Sequence, residues 1–184
     1  MDPVVDVVRR EALTRADLTR IRRLFDAEYL ADFGPWDPAQ PYGYAPHDVH
    51  VIACAADGVV VGHAGWGRRE ISVGGASVVI AGVGGVLVSA SARGLRLGER
   101  LMTALAHSMA EAGGIDFGYL GCREDVVPFY EACGWQRIAA AERSVARDGT
   151  PVEDLPGQPL LILPVGSVRG AWPPGLVDLR GRAW

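Results

Sequence analysis

Apolar residues along the chain follow two different periods, and each period marks out its own elements. Leu18, Ile21, Leu24 and Phe25 recur at helical intervals. Thr14 precedes them with Asp17 three positions on, the form of a capping box, so an amphipathic helix is expected to start there and end near Leu30. Leu97, Leu101, Leu105 and Met109 recur every four residues, predicting a second helix over 97–112 that Gly113-Gly114 stops. Between the two lie β-branched runs over 49–56, 59–71 and 76–88. They are joined at Asp57-Gly58 and at Gly74-Gly75, which predicts an antiparallel three-stranded meander. Gly82, Gly84 and Gly85 interrupt its third strand, as at a bulge or where another group comes close.

Shorter elements complete the pattern. Val4–Val8 reads as an edge strand and 117–122 as a short apolar strand. Asp125 can cap a short helix that takes Pro128 in its first turn and ends at Gly134. "QRIAAAERSV" and "PLLILPV" read as two closing strands. The run 33–47, rich in Pro, Gly and aromatics, is expected to be a loop whose rings either line a site or pin the loop. The tail "RGAWPPGLVDLRGRAW" shows no period. With no repeat and no low-complexity segment, residues 1–184 are expected to form one α/β (α+β) domain.

Composition narrows the function class. The 184 residues are 49% hydrophobic and 22% charged, with a net charge of −4, which disfavours nucleic acid as the main partner. All 18 basic side chains other than histidine are arginine. Glycine and charge interrupt every stretch long enough to span a membrane, and "MDPVVDVVRREAL" lacks the basic start and long apolar run of a signal peptide. A cytoplasmic protein is expected. Cys54, Cys122 and Cys133 are odd in number and lack metal-ligand spacing, so they read as free, buried thiols in a reducing compartment, and no metal is expected.

The most informative stretch is "VSASARGLRLGERLM" (88–102), where a strand passes through an Arg-Gly turn into a helix. Unpaired N–H groups at a helix start attract anions, glycine lets phosphate oxygens approach, and arginine adds charged donors. The bland alternative is a solubilising turn. Neither a G-x-x-x-x-G-K-S/T loop nor a G-x-G-x-x-G turn after a first parallel strand is present.

This order of elements resembles the GCN5-related N-acetyltransferase (GNAT) superfamily, whose pyrophosphate motif is Q/R-x-x-G-x-G/A. Here it stands as Arg93-Gly94-Leu95-Arg96-Leu97-Gly98, with arginine at the usual first glycine, and "PFYEACGWQRI" is similar to the superfamily's later aromatic motif. The resemblance covers most of the chain. It implies a mixed, mainly antiparallel central sheet with flanking helices and a V-shaped acyl-CoA cleft. Acetyl-CoA would be the cosubstrate, with Val86, Leu87 and Val88 on its pantetheine arm and Arg93 to Glu99 on its pyrophosphate.

Two narrower families point to the acceptor. "LADFGPW" and "VDLRGRAW" resemble stretches of the aminoglycoside 2′-N-acetyltransferases, which implies that Asp32 and the Trp184 carboxylate, with Asp178 nearby, bind acceptor amines. "VIACAADGVVVGHAG" and "PVGSVRGAWPPGLVDLRG" are similar to the nodulation-factor N-acyltransferases, which place a fatty acyl chain on a glucosamine amine. Both imply a small-molecule amino-sugar acceptor. The expected activity is acetyl transfer to an aminoglycoside or related amino sugar, with long-chain N-acylation second and a non-catalytic acyl-CoA sensor third.

Both families carry a β-strand glutamate as base where this chain has Gly82 and Gly84. His63, on the neighbouring strand, is one candidate to take the proton; Asp32 and the Trp184 carboxylate are the others. Tyr130 matches the tyrosine that commonly protonates the leaving thiolate, its alternative being a core aromatic. Oligomeric state is not readable, and a homodimer stays open.

Overall fold

The computed structural model describes residues 2–165 and 170–184. Positions 166–169, within the "PVGSVRGAW" stretch singled out above, lie outside the described residues. Strand β1 (Val4–Arg9) lies at an edge, pairing only with β2 (Val49–Cys54). The meander then runs through β3 (Val60–Val73) and β4 (Ala76–Val88), turning at Gly74 and Gly75, both with positive φ.

Helix α1 (Arg15–Phe33) carries the expected capping box, with the Thr14 hydroxyl accepting from Asp17 N–H and the Asp17 carboxylate accepting from Thr14 N–H. It runs one turn past Leu30. The apolar stripe ends there, but nothing breaks the backbone until Gly34 at φ +76°. Helix α2 (Leu97–Ala112) has the predicted bounds and buries Leu97, Leu101, Leu105 and Met109 against β3 and β4. Strand β5 (Phe117–Gly121) follows, then α3 (Val127–Ala132) with Pro128 in its first turn. Asp125 does not cap α3; a 3-10 turn (Glu124–Val126) intervenes, and its carboxylate pairs with Arg123 instead.

The C-terminal third holds more strands than its sequence suggests. "QRIAAAERSV" is split by a three-alanine break into β6 (Gln136–Ile138) and β7 (Glu142–Val145). Then come β8 (Pro151–Asp154), β9 (Leu160–Pro164) and the two-residue β10 (Val177–Asp178). The tail strand β10 runs antiparallel to β3 and parallel to β7, giving the sheet order β6-β9-β5-β4-β3-β10-β7-β8. This sheet curls hard. Tyr119 on β5 donates its hydroxyl hydrogen to Glu142 on β7, four strands away, across an interior filled by Ile71, Val73, Ile80, Val177 and Leu179.

The candidate active site

Strands β4 and β5 are parallel but share only three rungs, Ile80↔Phe117, Ala81↔Gly118 and Gly82↔Tyr119. Beyond Gly82, β4 continues to Val88 and the two strands part in a V. Ser89 N–H donates to Val61 O at 2.9 Å, which fixes the alternation of the β3–β4 ladder. Leu87, opposite His63, therefore turns its backbone groups to β3 and its side chain into the core. Val86 and Val88 turn theirs away from β3, into the V. Of the three residues expected on the pantetheine arm, two have backbone groups facing the wedge and Leu87 does not.

β4 is bulged here. Two residues, Gly85 and Val86, oppose the single Ala64, and Gly85 has φ +60°. Its carbonyl leaves the ladder and accepts from His63 Nδ1 at 2.7 Å.

At the open end of the V the chain enters α2 through a turn with two left-handed residues, Gly94 (φ +82°) and Arg96 (φ +55°). Arg96 is the N-cap and its side chain does not cap the helix, so the first-turn N–H groups have no side-chain acceptor among the described residues. Arg93 to Arg96 are exposed, and a Cβ on Gly94 would meet nothing within 4 Å. Arg93 donates to Glu28 Oε2 and Val88 O, both at 3.2 Å, and Arg96 donates to Glu99 at 2.6 Å. The other two motif positions are structural. Leu97 is core, and a Cβ on Gly98 would lie 3.1 Å from the Phe129 ring, so Gly98 lets α3 pack on α2.

On the opposite face of β3 and β4, Gly65, Gly67, Gly82 and Gly84 make a floor without side chains. Trp184 and His47 lie on it. A Cβ on Gly82 would come within 2.1 Å of the Trp184 ring, and one on Gly84 within 2.9 Å of the Trp184 carbonyl carbon and 3.1 Å of His47 Nε2. The missing β4 glutamate is thus a matter of space, because these two residues fill the room it would need.

Three of the chain's four histidines cluster here, all buried: His47, His50 and His63. A carbonyl can only accept, so His63 carries its proton on Nδ1, and its Nε2 accepts from His50 Nδ1–H at 2.9 Å. Burial, then the neighbouring His50, pushes His63 down to about 3, and burial with Arg10 pushes His50 to about 4. Burial likewise holds His47 well below 6.5. His63, expected as a base, has both ring nitrogens committed. His47 Nε2 is the one buried imidazole nitrogen without a partner among the described residues. His47 and His50 were not singled out by sequence reasoning, although three histidines within 47–63 were a readable signal.

The tail is anchored, not frayed. Arg69 lies 3.9 Å from the Trp184 ring centroid and donates to Leu179 O and Arg182 O, and Ala45 N–H donates to Ala183 O at 2.7 Å. Sequence reasoning missed Arg69, which brings a cation to the place where acceptor ammonium groups were expected. The expected trio is not brought together. Val177 and Leu179 point inward, so Asp178 between them points out, 3.7 Å from Arg143. Asp32 is exposed on the last turn of α1.

Tyr130 lies in the core edge-on to Phe129 and Trp135, with a hydroxyl that burial keeps protonated far above neutral pH. All three cysteines are unpaired and half-buried rather than buried, with thiols pushed up by partial burial.

The family model for nodulation protein A (NodA) matches residues 7–182. The chain belongs to the NodA family. No curated protein matches the sequence. Among solved structures, this NodA-family chain is similar to the GNAT family N-acetyltransferase YhbS of Escherichia coli, in complex with CoA. That likeness has 15% identity over 97% of this chain and 90% of that one, with a TM-score of 0.64. Escherichia coli ElaA gives 18% identity, 86% and 98% coverage and a TM-score of 0.61. An acyl-CoA N-acyltransferase from Pseudomonas aeruginosa gives 17%, 89% and 99%, and 0.58. The fold is the GNAT fold.

Proposed function

We propose that this NodA-family chain is an acyl-CoA-dependent N-acyltransferase that acylates the amine of an amino sugar, a glucosamine unit of a chitooligosaccharide. One observation carries the reading. β4 parts from β5 with the backbone groups of Val86 and Val88 directed into the gap, and the same strand leads directly into an uncapped helix N-terminus. An extended amide-bearing arm ending in a pyrophosphate fits that sequence of donors and acceptors.

In this reading Val86 and Val88 hold the pantetheine arm, and Arg93, Gly94, Leu95, Arg96 and the first-turn N–H groups of Leu97, Gly98 and Glu99 hold the phosphates. Arg93 and Arg96 exchange their carboxylate partners for phosphate oxygens. The amine attacks the thioester carbonyl directly, and Tyr130 donates its proton to the departing thiolate. With His63 committed, the Trp184 carboxylate and His47 Nε2, which lie together beside Gly84, are the candidates for the amine's proton.

Acetyl transfer to an aminoglycoside is disfavoured as the main activity. Its expected cation site holds Arg69, and the NodA match supports the nodulation-type alternative instead. The test is mass spectrometry of a chitooligosaccharide with a free terminal amine, and of aminoglycosides, incubated with the protein and acyl-CoA donors from acetyl to long-chain. Acylated chitooligosaccharide with stoichiometric CoA release is expected. CoA release from no donor would overturn the enzyme reading and leave an acyl-CoA-binding module.

A further inference from the structure

We propose that His63 is a positioning residue, whose ring clamps the β4 bulge so that the Val86 N–H is aimed into the wedge as the hydrogen-bond donor to the thioester carbonyl oxygen. This rests on the acyl-transfer reading above and adds to it the residue that sets the oxyanion donor.

The geometry is closed at every step. Gly85 is the extra residue of the bulge, so its carbonyl has no ladder partner on β3. His63 Nδ1–H supplies one from the acceptor face of the sheet, at 2.7 Å. The Gly85–Val86 peptide is trans, like every other among the described residues, so the N–H of Val86 points opposite to the Gly85 carbonyl. Because His63 stands on β3, drawing that carbonyl toward it turns the Val86 N–H away from β3, toward the side from which β5 has departed. Glycine favours the arrangement: φ is +60°, and a Cβ on Gly85 would lie 3.1 Å from His63 Nδ1, so a side chain there would press on the ring.

The clamp is itself held. His50 Nδ1–H donates to His63 Nε2 at 2.9 Å, which fixes the tautomer that can donate to Gly85. Phe25 of α1 packs edge-on against the ring, with centroids 5.2 Å apart. His47 and His50 face it at 5.9 and 5.2 Å, and the other charged group that acts on this cluster is Arg10. A donor fixed before the reaction costs no reorganisation when charge develops on the carbonyl oxygen, which is where such a group has its effect.

Two variants separate a clamp from a base and from a filler of the core. His63→Leu removes the donor at similar volume. His63→Asn places an amide N–H where Nδ1–H stood. With acyl-CoA and the amino sugar, His63→Leu should lower kcat by about 10²-fold, the usual scale for one oxyanion donor. Its Kd for free CoA, which has no thioester carbonyl, should stay within about twofold of wild type by calorimetry, since that ligand never uses the donor. His63→Asn should restore most of kcat and keep the wild-type pH profile. Wild-type kcat in His63→Leu, or His63→Asn as slow as His63→Leu, overturns the proposal, as does loss of an ionisation from the His63→Asn pH profile. If His63→Leu does not fold, the His63→Asn rate and pH profile decide alone. A wild-type protein that transfers no acyl group refutes the enzymatic reading instead. The clamp is then read by nuclear magnetic resonance on wild type and His63→Asn: Gly85 and Val86 amides unaffected by the substitution, with a wild-type His63 found in the Nε2–H tautomer, show that there is no clamp.

Discussion

Replacing Gly82 by alanine tests the packing that excludes a side chain from the middle of β4. The new methyl carbon would lie 2.1, 2.2 and 2.4 Å from Cε3, Cδ2 and Cζ3 of Trp184, against an ordinary carbon–carbon separation of about 3.5–4.0 Å. The ring must therefore withdraw by roughly 1.5 Å to reach the near end of that range. It has little room to do so, because Arg69 lies 3.9 Å from its centroid and the Ala45–Ala183 hydrogen bond ties down the residue before it. Overpacking of this kind costs about 1–3 kcal/mol, and a lost backbone hydrogen bond adds about 1 kcal/mol. A total of about 2–4 kcal/mol lowers Tm by roughly 4–16 °C in a chain of this length. Urea denaturation of wild type, Gly82→Ala, Trp184→Ala and the double variant gives the coupling directly. In the Trp184→Ala background the methyl has no ring to displace, so Gly82→Ala should cost about 2 kcal/mol less there. An equal cost in both backgrounds would refute the contact, and so would a Gly82→Ala protein as stable as wild type.

Three further outcomes are expected. Arg93→Ala combined with Arg96→Ala should raise the Kd for CoA by about tenfold in calorimetry, the loss being limited because both arginines are exposed and give up Glu28 and Glu99 to bind phosphate; unchanged affinity in the folded variant removes the loop from the site. Tyr130→Phe keeps the buried ring and should lower kcat by about 10²-fold or more with little change in CoA affinity, so wild-type turnover would leave the tyrosine as core only. The buried histidines make stability pH-dependent. Their folded pKa values lie below the ordinary 6.5, at about 4 for His50 and about 3 for His63, so acid protonates the unfolded chain first. Stability present above pH 6.5 should fall as pH drops toward 4, by up to about 1.4 kcal/mol per pH unit for each such histidine, and His63→Asn should flatten the slope; equal urea midpoints at pH 7 and pH 5 would contradict this.

What the sequence revealed depended on how local each feature was. The capping box at Thr14 and the four-residue repeat of α2 are set by neighbours within one or two turns, and both were legible to within a few residues. The meander and the glycines of its third strand were legible too, and the bulge stands at Gly85 as that interruption suggested. Strand β10 was not, because two residues cannot show a period and its pairing with β3 and β7 is set by partners far away in sequence. Asp125 had the form of a cap, but nearby Arg123 drew its carboxylate away. Within the candidate site, the passage from strand through the Arg93–Gly98 turn into α2 was readable, whereas the His63–Gly85 contact joins residues 22 apart on two strands whose register contains the bulge itself. Arg69 gave no local signal at all: its role depends on where the tail returns.

The three-rung contact between β4 and β5 has a consequence for folding and handling. Sheets normally keep exposed edges at their margins, where charge, proline or short length protects them. Here an edge is opened inside the sheet, along the apolar stretch Val86-Leu87-Val88, without a charged or proline gatekeeper on that stretch. Such an edge can pair with a stray β-strand, from a second copy or a nascent chain. A ligand that runs along β4 would act as a protective extra strand, and would compete with self-association as well as serve catalysis. Expression and storage with CoA should therefore suppress aggregation more than the gain in Tm alone would account for.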